Sequence, residues 1–147
     1  MYRALYDSAD ARLRRPVERD AAFEWVGRLF GVASDRDFVV VPLLANSGTS
    51  FGPCVDLQVG RRECFSILGH DRTDAAGFPE YDDGLVETLV HELSHGYANP
   101  LGDAHQSEFE GSAPRVHAAV ADAMRAQAYG TWMIMVNESL VGAAVAR

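Results

Sequence analysis

The chain has 147 residues, enough for one domain with a substantial core, and its 48% hydrophobic and 23% charged content is that of an ordinary globular protein. The net charge is −8, and the 13 basic residues are scattered apart from short clusters at Arg12-Leu13-Arg14-Arg15 and Arg61-Arg62, which argues against a nucleic-acid partner. No apolar run approaches the roughly 20 residues of a membrane span, and the stretch Met1 to Asp7 lacks the apolar core of a signal peptide.

Residues 1–18 are rich in Arg and Asp with Pro16 inside, and read as a loosely ordered helical lead-in. Asp20 precedes a helical stripe of Ala22, Phe23, Val26, Leu29 and Phe30, with Gly31 as its C-cap. After the polar turn Ser34 to Asp37, the β-branched run Phe38 to Leu44 predicts a strand, placed at an edge by Pro42. The segment Asn46 to Pro53 reads as a turn or an irregular strand entry. Cys54 to Val59 and Glu63 to Leu68 alternate as strands, joined through Gly60-Arg61-Arg62 as a hairpin. Cys54 and Cys64 have no metal-ligand spacing; a disulfide across the hairpin and two buried thiols are both open, with buried thiols favoured.

A polar stretch from Gly69 to Pro79 leads to Asp82 and Asp83, either of which can cap the next helix. That helix is predicted to end near Ala98, because Pro100 biases Asn99 away from helical geometry. Leu101 to Ser112 reads as a polar loop, and Ala113-Pro114 opens a helix through about Gln127. Tyr129-Gly130 breaks it, and Thr131 caps a last helix from Trp132 onward. This helix stops at Val145-Ala146-Arg147 with no glycine, proline or polar cap after it. The domain is therefore expected to be incomplete at its C-terminus, with Val141 and Val145 left exposed. The order of helix, three strands and then helices is α+β, with a small mixed or antiparallel sheet.

The chemistry concentrates in Thr88-Leu89-Val90-His91-Glu92-Leu93-Ser94-His95-Gly96-Tyr97. Residues four apart share a helix face, so His91 and His95 can offer two imidazoles to one ion, while Glu92 sits one step round and can reach a water on that ion. With five His and nine Glu in the chain, the pattern H-E-x-x-H would arise in about one shuffled chain in a hundred. The surrounding Leu85, Val86, Leu89, Val90 and Leu93 make the helix apolar, unlike a solvated helix that merely carries two histidines.

A catalytic zinc needs a third protein ligand beside a water. A histidine six residues after His95 would supply it in one zincin pattern, but Leu101 stands there. His105 and His117 are remote candidates, and Glu108 and Glu110 lie in a polar segment. Glu138 stands instead among Ile134, Met135, Val141, Gly142 and Val145, where a lone carboxylate is costly unless bound or paired. Glu138 is the favoured ligand, Glu110 the next, and a buried pair with an arginine the bland alternative.

Asn137-Glu138 on a helix downstream of His91-Glu92-Leu93-Ser94-His95 resembles the gluzincins, metalloproteases whose third zinc ligand is a glutamate. His91 to Pro100 with Asn99-Pro100, the Gly52 region and Val136-Asn137-Glu138 are similar to an uncharacterised bacterial family catalogued only as a domain of unknown function. The resemblance covers roughly residues 35–147, and its specific part is the zinc motif. It implies one zincin-like catalytic domain over 1–147, with a small mixed sheet above the active-site helix and the third ligand on a following helix. It also implies a longer protein, and one that is extracytoplasmic, since many members are exported. The 42 residues between His95 and Glu138 exceed the spacing of the best-known gluzincins.

The expected activity is zinc-dependent hydrolysis of a peptide or protein substrate, with one Zn2+ per chain on His91, His95 and Glu138 and with Glu92 as general base. Tyr97, Tyr129 and His105 are candidates for the donor to the oxyanion. Phe38 to Leu44 or Asn46 to Gly52 can offer an edge for strand addition by an extended substrate. The alternative is a catalytically silent metal-binding or regulatory domain of a larger exported protein. Glu92 argues against it, since a structural zinc site needs no base and is usually closed by four ligands rich in Cys.

Overall fold

The computed structural model describes residues 2–19, 23–32, 36–45, 48–57, 60–81 and 84–146. The predicted caps and turn residues at Asp20, Ser34, Asp35, Asn46, Ser47, Asp82 and Asp83 lie outside these residues. Helices α1 (Arg3–Arg19) and α2 (Glu24–Leu29) precede strands β1 (Arg36–Pro42), β2 (Cys54–Asp56), β3 (Arg62–Leu68), β4 (Arg72–Thr73) and β5 (Pro79–Glu80). Helices α3 (Leu85–Ala104), α4 (Gln106–Phe109), α5 (Ala113–Ala119), α6 (Ala121–Ala126) and α7 (Trp132–Val145) follow. The fold is α+β, as the element order predicts.

The lead-in is not loose: α1 is a helix of 17 residues with Pro16 inside its last turn. Ala9 and Leu13, four apart, are buried, and Leu13 joins Leu68, Leu85 and Leu89 in one core cluster with Val17 packed against it. This stripe is narrow and lies among charged residues, so composition hides it. Arg12 secures the helix to the β4–β5 hairpin, donating to the Asp74 carboxylate and to the Pro79 carbonyl at 2.8 Å. That guanidinium, with the backbone amides of Phe78 and Ala76, holds the Asp74 carboxyl below its ordinary range. The helix α2 is shorter than its stripe suggests. It ends as predicted on Gly31, at φ +68°, with Gly31 donating to Arg28 and Val32 to the Gly27 carbonyl, a Schellman closure.

The central sheet has the order β1-β3-β2 and is mixed. β1 runs parallel to β3 from Arg36↔Arg62 to Pro42↔Leu68 and occupies the edge that Pro42 predicts. β2 pairs antiparallel with β3 as the expected hairpin, but it stops at Asp56 because the turn starts at Leu57, whose amide donates to the Arg61 carbonyl. Gly60, at φ +74°, closes that turn. The polar stretch predicted from Gly69 to Pro79 contains the small hairpin β4–β5, with Arg72 opposite Glu80.

Cys54 and Cys64 form a disulfide, which corrects the buried-thiol expectation. Their register makes them direct partners across the antiparallel ladder, with Cα atoms 4.0 Å apart, the close spacing of a non-hydrogen-bonded pair. Both sulfurs lie on the helix side of the sheet, where a Cβ built on Gly96 would meet them at 2.9 and 3.0 Å. Replacing both cysteines by serine is expected to lower stability by about 2–3 kcal/mol for so short a loop. A drop in thermal midpoint of about 5–10 °C in a reductant-free scan is the corresponding observable.

The helix α3 extends through Pro100 to Ala104, whereas the sequence pattern ends it near Ala98. The amide missing at Pro100 would have bonded the Gly96 carbonyl, and that carbonyl instead accepts from the guanidinium of Arg36 on β1. The expected loop from Leu101 to Ser112 is accordingly the end of α3 followed by the single turn α4. The helix expected from Ala113 to Gln127 divides at Val120, at φ −118°, into α5 and α6. Thr131 caps α7 as predicted, accepting from the Ile134 amide at 3.2 Å. Val141 is fully buried, and Val145 packs against the Val26, Val90 and Tyr97 cluster, so neither is the exposed residue expected of the final helix.

Candidate metal centre

The helix α3 is the axis of the molecule: it packs against β3 on one side and α7 on the other. Leu89 and Leu93 are sunk into the core, which at about 1.5–3 kcal/mol per buried side chain fixes the rotation of the helix about its axis. With Leu89 and Leu93 turned inward, His91 and His95 face α7 and remain partly open. Close approach of α7 is permitted by Gly102, whose absent Cβ leaves room for the Asn137 side chain. The next residue, Glu138, then reaches both histidines.

His91 Nε2 and His95 Nε2 are 3.2 Å apart, His91 Nε2 is 3.4 Å from Glu138 Oε2, and His95 Nε2 is 3.6 Å from Glu138 Oε1. Ligands at 2.0–2.1 Å around a tetrahedral ion stand about 3.4 Å from one another. The three separations, the two to Glu138 running to its different oxygens, bracket that value. Glu138 Oε2 is a buried oxygen facing His91 Nε2, and a donor set of two imidazoles and a carboxylate suits a zinc-like divalent ion. Among the described residues, His91, His95 and Glu138 form the one group of three that can converge on an ion. The residues present therefore fit the metal that the motif implies.

Glu92 is 7% exposed. Burial pushes its carboxyl above the ordinary value, against the opposing influence of His91 and His95, and Glu138 adds to the rise. Its wall is the backbone of Gly52: a Cβ there would collide with the Glu92 carbonyl and come within 3.0 Å of its carboxylate. Only glycine lets the segment before β2 lie directly on α3. The His91 imidazole is raised, chiefly by its hydrogen bond to Glu138 and against its own burial. Burial acts to raise Glu138, but His91, His95 and Tyr129 outweigh it and hold the carboxyl below its ordinary value.

The three oxyanion candidates separate clearly. Tyr97 is 3% exposed and belongs to the core, stacked on Phe30 with centroids 5.7 Å apart and covered by the Arg36 guanidinium at 3.9 Å. His105 is exposed at the end of α3 and pairs with Glu108 at 2.7 Å. Tyr129 lies within the electrostatic influence of Glu138 and Glu92. Its phenol is raised first by burial, then by the charge of Glu138 and a hydrogen bond to it, with Glu92 adding. The remote candidate His117 serves this turn instead of an ion, its Nε2 standing 3.1 Å from the Tyr129 carbonyl. Glu108 and Glu110 are exposed, the latter against Gln106.

One residue of the candidate site escapes sequence reasoning. Asn99 Oδ1 lies 3.2 Å from His95 Nδ1, where it can accept the ring N–H and leave Nε2 free as a lone-pair donor. Its signal was present, since residues 91, 95 and 99 share one helix face. Ending the helix at Ala98 concealed it.

A cavity of about 420 Å³ opens beside His91 and Glu92, bordered by Ser50, His70, Arg72, Tyr81 and Glu87. No helix of the described residues is long and apolar enough to cross a membrane. Neither the curated proteins nor the solved structures yield a match. A family model does match, from residue 3 to residue 147, and by that match the chain belongs to the family described as a domain of unknown function, DUF4932.

Proposed function

We propose that this domain is a zinc-dependent, gluzincin-like peptidase with a zincin-like arrangement of sheet and helix. The observation that carries the reading is the convergence of His91, His95 and Glu138 at tetrahedral ligand spacing beside the buried carboxylate of Glu92. Bound there, zinc would supply a polarised carbonyl and a water with a pKa near about 7.

The chain's own groups do the rest. Glu92 takes the proton from the attacking water and delivers it to the leaving amine, and its raised carboxyl makes it a better base for the first transfer. Tyr129 directs its hydroxyl at the oxygen on which charge develops. Substrate backbone is held by strand addition. Phe51 and Pro53 bond to β3, so the intervening Gly52 turns its amide and carbonyl toward the outer edge, directly above Glu92. The disulfide, a bond that persists in oxidising compartments, supports an extracytoplasmic location.

The test has two stages. Purified chelator-free protein should hold about one zinc per chain, lost in His91→Ala; a broad peptide library should then be cut by the loaded wild type. Metal-free protein under zinc-replete conditions would end the reading. Tyr129→Phe should lower kcat about a hundredfold, the scale of one lost oxyanion donor, while zinc affinity stays within about tenfold. Unchanged turnover in that variant would remove Tyr129 from the chemistry.

A further inference from the structure

We propose that Arg36, on the first position of β1, is a positioning residue of the metal centre: it supplies the hydrogen-bond donor that Pro100 lacks and so keeps His95 aimed through Asn99. The inference rests on the reading of His91, His95 and Glu138 as metal ligands.

An interior proline removes the i→i−4 hydrogen bond and crowds the carbonyl one turn back, at a cost of about 3 kcal/mol or more. It also disfavours helical geometry at the residue before it. In α3 the abandoned carbonyl is that of Gly96 and the disfavoured residue is Asn99, yet the helix runs on for four residues beyond Pro100. The Arg36 guanidinium donates to the Gly96 carbonyl from 60 residues away in sequence. It is braced in place by its position over the Tyr97 ring, 3.9 Å from the centroid, and that ring is itself fixed against Phe30 and Phe38.

What this contact preserves is Asn99. Only while residue 99 stays helical does it stand one turn beyond His95, where its Oδ1 meets His95 Nδ1 at 3.2 Å. That bond fixes the tautomer with a proton on Nδ1 and directs Nε2 toward Glu138. Arg36 touches neither an ion nor a substrate. It acts through Gly96, the helical state of Asn99, and then His95.

The experiment uses the full chain and reads zinc affinity by competition with a chromophoric chelator, together with amide exchange over residues 101–105. Arg36→Met retains an apolar stem over Tyr97 but no donor. It should weaken zinc about tenfold to a hundredfold, as removal of a partner outside the ligand set does, and speed exchange of amides 101–105. The decisive arm is Pro100→Ala in the Arg36→Met background, which restores an N–H aimed at the Gly96 carbonyl. Affinity should return to within about threefold of wild type and exchange should slow again. In the wild-type background Pro100→Ala should leave zinc affinity unchanged, whereas Asn99→Ala should weaken it as Arg36→Met does without speeding exchange.

Wild-type affinity in Arg36→Met, or a loss that Pro100→Ala does not repair, overturns the proposal. Should Arg36→Met fail to fold, a folded Arg36→Met/Pro100→Ala protein is the expected rescue, and a double variant that also fails overturns it. A wild type that binds no zinc defeats the metal reading instead. The exchange arm then still decides whether Arg36 replaces the donor missing at Pro100.

Discussion

Glu92→Gln is expected to keep one zinc per chain and the wild-type fold while lowering peptide hydrolysis by at least about a thousandfold. General acid–base catalysis contributes about 10²–10⁴, and Glu92 serves both proton transfers in the proposed reaction. Glutamine matches the carboxylate in shape, and Glu92 is no part of the convergent ligand group, so metal affinity should not follow activity down. The amide cannot accept a proton at neutral pH. Replacing a buried, raised carboxyl by a neutral group of the same size also removes a desolvation cost, so thermal stability should hold or rise. Zinc content, a thermal scan and a single-turnover peptide assay on the same preparation separate these effects. A folded, zinc-loaded Glu92→Gln protein that still cuts peptides at the wild-type rate would take Glu92 out of the mechanism.

The parts of this molecule that local sequence encodes were legible, and the parts set by distant contacts were not. His91 and His95 follow from helical spacing alone, Thr131 from capping chemistry, and the edge position of β1 from Pro42. Glu138 stood out because an apolar helix has no cheap place for a carboxylate. Pro100 misled, since its consequence is decided by Arg36, which sequence places on an unrelated strand. Asn99 was lost with it. The disulfide needed the register of β2 on β3, and without it two cysteines ten residues apart read rather as buried thiols. Gly52 and Gly96 looked like ordinary turn and helix glycines. Their purpose is the absent Cβ, which lets the sheet and its sulfurs rest on α3.

Glu138→Ala is expected to weaken zinc by roughly a hundredfold or more, whereas Glu108→Ala and Glu110→Ala should leave affinity unchanged. Four-ligand zinc sites bind with about 10–16 kcal/mol, so one ligand carries on the order of 3 kcal/mol, about two decades in affinity. Glu108 and Glu110 are exposed and partnered by His105 and Gln106. The metal-free protein offers a second, independent signature in its stability against pH. The Glu138 carboxyl is depressed, so its contribution is complete above the ordinary carboxyl value of about 4.3 and disappears as pH falls through the lowered one. The His91 imidazole is raised, so its contribution is complete below about 6.5 and disappears as pH rises through the raised value. Without zinc, Glu138→Ala should therefore destabilise most between about pH 4.3 and 6.5, where both partners are charged. With zinc the order reverses, because the ion competes with protons for the imidazoles and the stabilisation it confers grows as pH rises above 6.5. Denaturant melts of wild type and Glu138→Ala across pH 4 to 8, with and without zinc, reveal the crossover. Melts that shift equally with and without the ion would mean that Glu138 is only a salt-bridge partner of His91, and the third ligand would have to be sought elsewhere.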